Sequence, residues 1–287
     1  MIDQVRALLQ RYQIAPSKGL GQNLLVNEDI YRRIVEAAAL TRDDMVLEIG
    51  PGLGMLTRRL AERAGRVAAI ELDRKMVALL MVELSDLPNV AIIAGDALEL
   101  DPVDVLRAVG ADPARAAPGV GYKVVANLPY YITSRALRHL LADSVRPSLL
   151  VLMVQKEVAD RLRAKPGQHS LLSLSVQVFG QVEQVCRVPA SAFYPQPKVS
   201  SAVVRITTYD APLVPEHLLA AFFQLLRAGF AQKRKQLHNS LAANLALSAD
   251  RVAALLAAAD IPPTARPQAL TMAQWCALAE AFAHRSA

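Results

Sequence analysis

Three glycines at alternate positions, Gly50, Gly52 and Gly54, follow the apolar run Met45–Ile49 and open directly into a helical pattern. Without Cβ atoms such a loop turns tightly and lets a nucleotide-like ligand approach the backbone. Carboxylates stand around it. Glu48 precedes the loop, Glu71 falls twenty-one positions after Gly50 at the end of the next apolar run, and Asp96 closes the one after that, AIIAGD. A carboxylate about 20 residues past the first glycine is placed to grip a ribose diol through paired hydrogen bonds. One at Asp96 can accept from an adenine amine, although alone it reads equally well as a helix N-cap. These groups suit NAD and S-adenosylmethionine alike, and two features separate them. The dinucleotide fingerprint is G-x-G-x-x-G, whereas this loop is G-x-G-x-G; and a carboxylate at Glu48 would repel a pyrophosphate but suit a cationic amino-acid group. S-adenosylmethionine is the expected cofactor, and no metal is expected.

A second constellation is Asn127-Leu128-Pro129-Tyr130, at the end of the apolar run 123–126. The exocyclic amine of adenine is a poor nucleophile, because its lone pair is delocalised into the ring. An Asn side-chain oxygen and a rigid backbone carbonyl can accept both of its N–H bonds and turn the lone pair toward a sulfonium methyl, with Pro129 fixing the carbonyl direction. Positioning then replaces strong base catalysis. Tyr130 offers a ring on which an extruded base can stack. In isolation the tetrapeptide is also an ordinary strand-ending turn; its place one strand after Asp96 favours chemistry.

Both constellations need a sheet whose strand ends converge. Short apolar runs at 45–49, 66–70, 90–93 and 123–126 alternate with helical patterns at 54–64, 74–84 and 133–142, the signature of parallel βαβ units. Strands expected at 149–154, 171–179, 182–188 and 199–206 have little helix between them, so the far edge should turn antiparallel. The fold expected is α/β: a Rossmann-like class I methyltransferase sheet, mostly parallel with an antiparallel edge, plus a smaller all-helical C-terminal domain. An amphipathic helix over 2–13 precedes a breaker region, Pro16–Gly21, that suggests a lid. From Pro215 the pattern is wholly helical, which divides the chain into 1–207, with its lid, and 208–287.

The net charge of +6 and a pI of about 9.5 call for an anionic partner. Residues 190–287 hold nine Lys and Arg against five Asp and Glu, so the excess leans C-terminal. There Lys233, Arg234 and Lys235 sit in a run read as helical, with Phe222, Leu226, Phe230 and Leu237 marking its buried face; at least two of the cations should face solvent and phosphate. A run of this kind is otherwise a plain solvated face. Cys186 and Cys276 have no His or Cys at ligand spacing and read as reduced core thiols. No run has the uninterrupted apolar length of a membrane span or a signal peptide, so a soluble cytoplasmic protein is expected.

Four motifs together resemble the small-subunit (16S) ribosomal RNA adenine dimethyltransferases: Lys18-Gly19-Leu20-Gly21-Gln22-Asn23, Glu48–Gly54, Asn127–Tyr130 and Phe193-Tyr194-Pro195-Gln196-Pro197-Lys198-Val199-Ser200-Ser201. The resemblance runs from about residue 17 to 271. It implies dimethylation of two adjacent adenosines in the hairpin loop near the 3′ end of small-subunit RNA, within an immature subunit and by a monomer. It also implies roles for residues. Gln22, Asn23 and Leu25 would lie at the methionine end of the cofactor; Glu48, Gly50 and Gly52 would form its loop; Glu71 and Leu72, then Asp96 and Ala97, would hold its nucleoside, with Asn127 shared with catalysis. Phe193 would pack on the target base opposite Tyr130, and Lys198 would join Lys233, Arg234 and Lys235 on RNA. One departure is Leu24, where the family usually carries an aromatic residue.

Three other readings use some of the same residues. A large-subunit rRNA adenine methyltransferase shares the core motifs, but the run F-x-x-K-R-K-x-L over 230–237 and the helices after it favour the small-subunit type. An RNA-binding assembly factor without catalysis would not need intact Glu48, Glu71, Asp96, Asn127 and Tyr130. An NAD-dependent oxidoreductase is disfavoured by the glycine spacing.

Overall fold

The computed structural model describes residues 1–16, 22–111, 121–142, 145–232 and 234–283. Among them the strands are β1 (Leu24–Leu25), β2 (Met45–Ile49), β3 (Arg66–Glu71), β4 (Val90–Ala94), β5 (Tyr122–Asn127), β6 (Leu149–Gln155), β7 (Gly180–Val188), β8 (Phe193–Tyr194) and β9 (Ser201–Thr208). The helices are α1 (Ile2–Arg11), α2 (Glu28–Ala38), α3 (Met55–Ala61), α4 (Arg74–Glu83), α5 (Pro102–Ala108), α6 (Thr133–Ala142), α7 (Lys156–Leu162), α8 (Leu171–Gln177), α9 (Leu219–Phe230), α10 (Leu237–Leu245), α11 (Ala249–Ala258) and α12 (Met272–Ala283). No helix of the described residues is long and apolar enough to cross a membrane.

Seven strands form one sheet in the order β4-β3-β2-β5-β6-β9-β7. The five from β4 to β6 are parallel, and β9 returns antiparallel to β6. Strands covered on both faces must be apolar along their length, which is why β2 and β6 read as runs rather than alternations and are buried almost throughout. Short polar caps start the flanking helices: Asn27 accepts the Ile30 N–H, and Asp73 accepts the Lys75 N–H. The strand order reverses between β2 and β5, the point at which open α/β sheets hold ligands beyond the carboxyl ends of their strands.

The chain forms two compact units, Met1–Ala159 with Val182–Thr208, and Asp160–Gln181 with Tyr209–Ala287. Residues 160–181 therefore belong with the C-terminal helices and not, as the sequence reading placed them, with the sheet. The reason lies in α8, which was expected as a strand over 171–179. LLSLSVQ alternates like a strand, yet Ser170 and Ser173 form a reciprocal capping box that starts a helix. Ser173 and Ser175 are buried along with Leu172, Leu174 and Val176, so both sets of the alternation are covered.

In the second unit α9 and α12 pack closely, with the rings of Phe230 and Trp275 stacked 5.8 Å apart. Gly229 permits this: a Cβ there would stand 2.8 Å from the Trp275 ring. Arg234 and Lys235 are not helical. α9 stops at Phe230 and α10 starts at Leu237, so Arg234 and Lys235 are exposed on the turn between them, while Lys233 lies outside the described residues. Cys186 is buried, whereas Cys276 is only half-buried.

Candidate active site

Strand register brings the predicted groups to one edge. Ile49 pairs with both Ile70 and Ala126, and Glu71 pairs with Ala94, so Asn127, Gly50, Glu71 and Gly95 follow one another across the four adjacent strand ends β5, β2, β3 and β4. Gly50, Gly52 and Gly54 have φ of +69°, +57° and +76°, the left-handed region that a side chain disfavours. At Gly54 a Cβ would also come within 2.9 Å of Leu80 on α4, so the glycine lets α3 start against that helix.

Glu71 is tied down from two directions. Its Oε1 accepts the Asp73 N–H at 2.9 Å and its Oε2 accepts the Gly52 N–H at 3.3 Å, which joins the tip of β3 to the glycine loop. Burial nevertheless raises its pKa. Asp96 accepts the Leu98 N–H at 2.9 Å and so caps a turn, while also lining the cavity. Its two readings from sequence are compatible.

Glu48 differs. It is 1% exposed, and its Oε2 has no hydrogen-bond partner among the described residues. Burial, with a smaller contribution from Glu71, pushes its pKa up to about 8 against a partial offset from the Thr57 hydroxyl. A buried carboxyl with one unsatisfied oxygen on a cavity wall is a place where a cation gains from being bound.

The 127–130 turn faces the glycine loop: a Cβ on Gly50 would stand 3.9 Å from both the Asn127 carbonyl oxygen and Pro129 Cδ. Asn127 Nδ2 donates one of its two N–H bonds to the Asn23 carbonyl at 3.2 Å, which orients the amide, and its Oδ1 has no hydrogen-bond partner among the described residues. The Pro129 carbonyl accepts the Ile132 N–H at 3.1 Å, which leaves the Leu128 carbonyl as the better second acceptor. Tyr130 is half-buried, and its Oη shares a 2.7 Å hydrogen bond with Ser201 Oγ at the start of β9.

One cavity in the first unit is lined by Gln22, Asn23, Leu25, Glu48, Gly50 and Gly52, and likewise by Glu71, Leu72, Asp96, Ala97 and the whole of Asn127–Tyr130. Gln22 Nε2 also donates to Asp73 at 3.3 Å, the residue whose N–H pins Glu71. Phe193 does not line it. That residue is 3% exposed on β8, opposite Leu25 of β1 and inside the core cluster with Tyr31 and Ile34. Lys198 is exposed on the bend between β8 and β9. Of the first motif, Lys18–Gly21 lie outside the described residues. Sequence reasoning gave no role to Ser201, which anchors Tyr130, or to Tyr31, which lines the cavity and donates to the Leu25 carbonyl at 2.9 Å. Ser201 had a signal, since it ends the fourth motif. Tyr31, in an amphipathic helix, had none.

The fold has close counterparts. A dimethyladenosine transferase from Plasmodium falciparum superposes with a TM-score of 0.76 at 27% identity, over 92% of this chain and 98% of that one. A 23S rRNA methyltransferase, ErmE, gives 0.70 at 28% identity over 91% and 100%. Sheet order, glycine loop and acidic strand tips thus define a Rossmann-like methyltransferase. More narrowly, the chain belongs to the ribosomal RNA adenine dimethylase family, whose model matches residues 16–284. It is 45% identical over 282 residues to a ribosomal RNA small subunit methyltransferase A of Pelotomaculum thermopropionicum, covering 97% of this chain and 95% of that protein. To the protein of the same name from Dehalococcoides mccartyi it is 42% identical over 275 residues, 96% and 91% of the two chains. S-adenosylmethionine is the family's cofactor, and the cavity fits it: the unsatisfied oxygen of Glu48 suits its ammonium, and the carboxylates of Glu71 and Asp96 its nucleoside.

Proposed function

We propose that this protein dimethylates the exocyclic amine of two adjacent adenosines in the 3′-terminal hairpin loop of small-subunit ribosomal RNA, acting in the cytoplasm as a monomer on an immature subunit. The observation that carries the chemistry is the Asn127 amide. One of its N–H bonds goes to the Asn23 carbonyl, which orients the amide with its acceptor open to an incoming N–H beside the glycine loop. Asn127 Oδ1 and the Leu128 carbonyl take the two N–H bonds of the amine, which directs its lone pair away from the ring. Tyr130, fixed by Ser201, supports the base. Glu71 holds the ribose, Asp96 the adenine between Leu72 and Ala97, and Glu48 with Gln22, Asn23 and Leu25 the amino-acid end. S-adenosylmethionine, when bound, supplies an electrophilic methyl on a sulfonium. Lys198, Arg234 and Lys235, with Lys233, contact phosphates. Phe193 is given no role at the base, because its ring is in the core.

The test is transfer of labelled methyl to isolated immature small subunits, read by mass spectrometry of the RNA. Dimethyladenosine at two adjacent positions of the 3′ hairpin is expected. Methylation of large subunits alone, the activity named for ErmE, would overturn the small-subunit assignment, and incorporation into neither would overturn the reading as a whole.

A further inference from the structure

The cavity has an outer station that the chemistry described so far does not use. Tyr130, Tyr131 and Ile132 form one turn of 3-10 helix running directly into α6. With three residues per turn their side chains point about 120° apart. Tyr130 is tied to Ser201, and Ile132 is buried at the core face. Tyr131 is left to face outward, 58% exposed, although it also lines the cavity. Arg135, four residues on, shares both properties: it is exposed, and it lines the same cavity. Among the described residues Arg135 makes no ion pair, in contrast to Arg32, Arg33, Arg58 and Arg59, which are all paired with carboxylates.

We propose that Tyr131 and Arg135 form a rim site for the nucleotide next to the target adenosine, with the Tyr131 ring stacking its base and the Arg135 guanidinium meeting the phosphate between the two. Extruding a base strips its neighbour of a stacking partner. A free aromatic face at the mouth of the cavity returns one without reading sequence, and an unpaired guanidinium beside it holds the connecting backbone in register. Where two adjacent adenosines are both substrates, the same rim accepts either while the other is inside. The site rests on the RNA-adenine reading given above.

Small subunits carrying unmethylated RNA are the substrate of the test. Tyr131→Ala should raise KM for them about ten-fold, as loss of one stacked base predicts. Affinity for S-adenosylhomocysteine should stay within about two-fold, because the cofactor end is untouched, and Tyr131→Phe should restore KM. Arg135→Gln should flatten the dependence of log KM on log salt by about one phosphate contact. Should Tyr131→Ala lose S-adenosylhomocysteine binding through misfolding, the exposed Arg135→Gln decides alone. A KM for Tyr131→Ala within about two-fold of wild type, a defect that Phe does not rescue, or an unchanged salt slope in Arg135→Gln sinks the rim site. Failure of the wild-type chain to methylate the subunits at all would instead sink the reading on which it rests.

Discussion

The two ends of the cavity are held by opposite means. At the glycine-loop end the carboxylates are anchored inside the protein: Glu71 by the Gly52 and Asp73 amides, Asp96 through one oxygen by the Leu98 amide. At the turn end one N–H of Asn127 is held by Asn23, and its acceptor is open among the described residues. A ligand that stays seated through a reaction gains from a surface already rigid, whereas a base that must enter and leave needs hydrogen-bonding capacity kept open for it. Glu48 is the exception at the first end, since one of its oxygens is unsatisfied.

Asn127→Ala tests this division most severely. Removing a fixed group that acts on the reacting amine should lower kcat by about 10²–10³-fold, by analogy with the loss of one polar group from a preorganised site. The S-adenosylhomocysteine Kd, measured by calorimetry, should move only a few-fold. A variant that keeps its turnover while losing cofactor affinity would show that Asn127 belongs to the other end, and the contrast would fail.

How much of this was legible beforehand follows the same contrast. The cofactor end depends on backbone conformation, and the glycines and strand-tip acids that allow it are spelled in the sequence at fixed spacing. The Asn127–Tyr130 turn was legible for the same reason, since Pro129 and a strand end define it locally. What was missed depends on partners distant in the chain. Ser201 meets Tyr130 only because β9 folds back beside β6, and Phe193 enters the core because β8 pairs with the two residues of β1. Arg234 and Lys235 were misplaced because α9 and α10, both apolar on their inner faces, continue one periodicity across a turn. In α8 the strand-like alternation concealed a capping box, which a side-chain hydrogen bond decides and hydrophobicity does not.

The exception at Glu48 yields the next largest effect, and it depends on pH. Its pKa is pushed up to about 8 from an ordinary 4.5, so the folded chain retains a proton that the unfolded chain releases. Stability from this group is therefore complete below the unfolded value and is lost as pH rises through the folded one. Relative to wild type, the Tm of Glu48→Gln should climb over that interval and level off above it. A seated ammonium favours the ionised carboxyl, so wild-type affinity for S-adenosylhomocysteine should strengthen by up to about tenfold per pH unit on approach to pH 8. In Glu48→Gln that slope should vanish. Equal slopes in the two proteins would mean that Glu48 is anchored internally like Glu71, and the first end would then have no exception.

The smallest expected effect concerns the support of the turn. Ser201 Oγ and Tyr130 Oη share a 2.7 Å hydrogen bond that crosses from β9 to the segment after β5. Ser201→Ala leaves the ring in place but frees its outer end, and a single neutral hydrogen bond of about 1 kcal/mol corresponds to about a five-fold loss in kcat/KM. Tyr130→Phe removes the same bond from the other side and keeps the stacking face, so it should lose a similar amount. The double variant should be no worse than either single one, because only one interaction is at stake. Additive losses would show that each hydroxyl has a separate task, with the Tyr130 oxygen itself contacting the substrate, and the target end would then be more tightly built than its open acceptors imply.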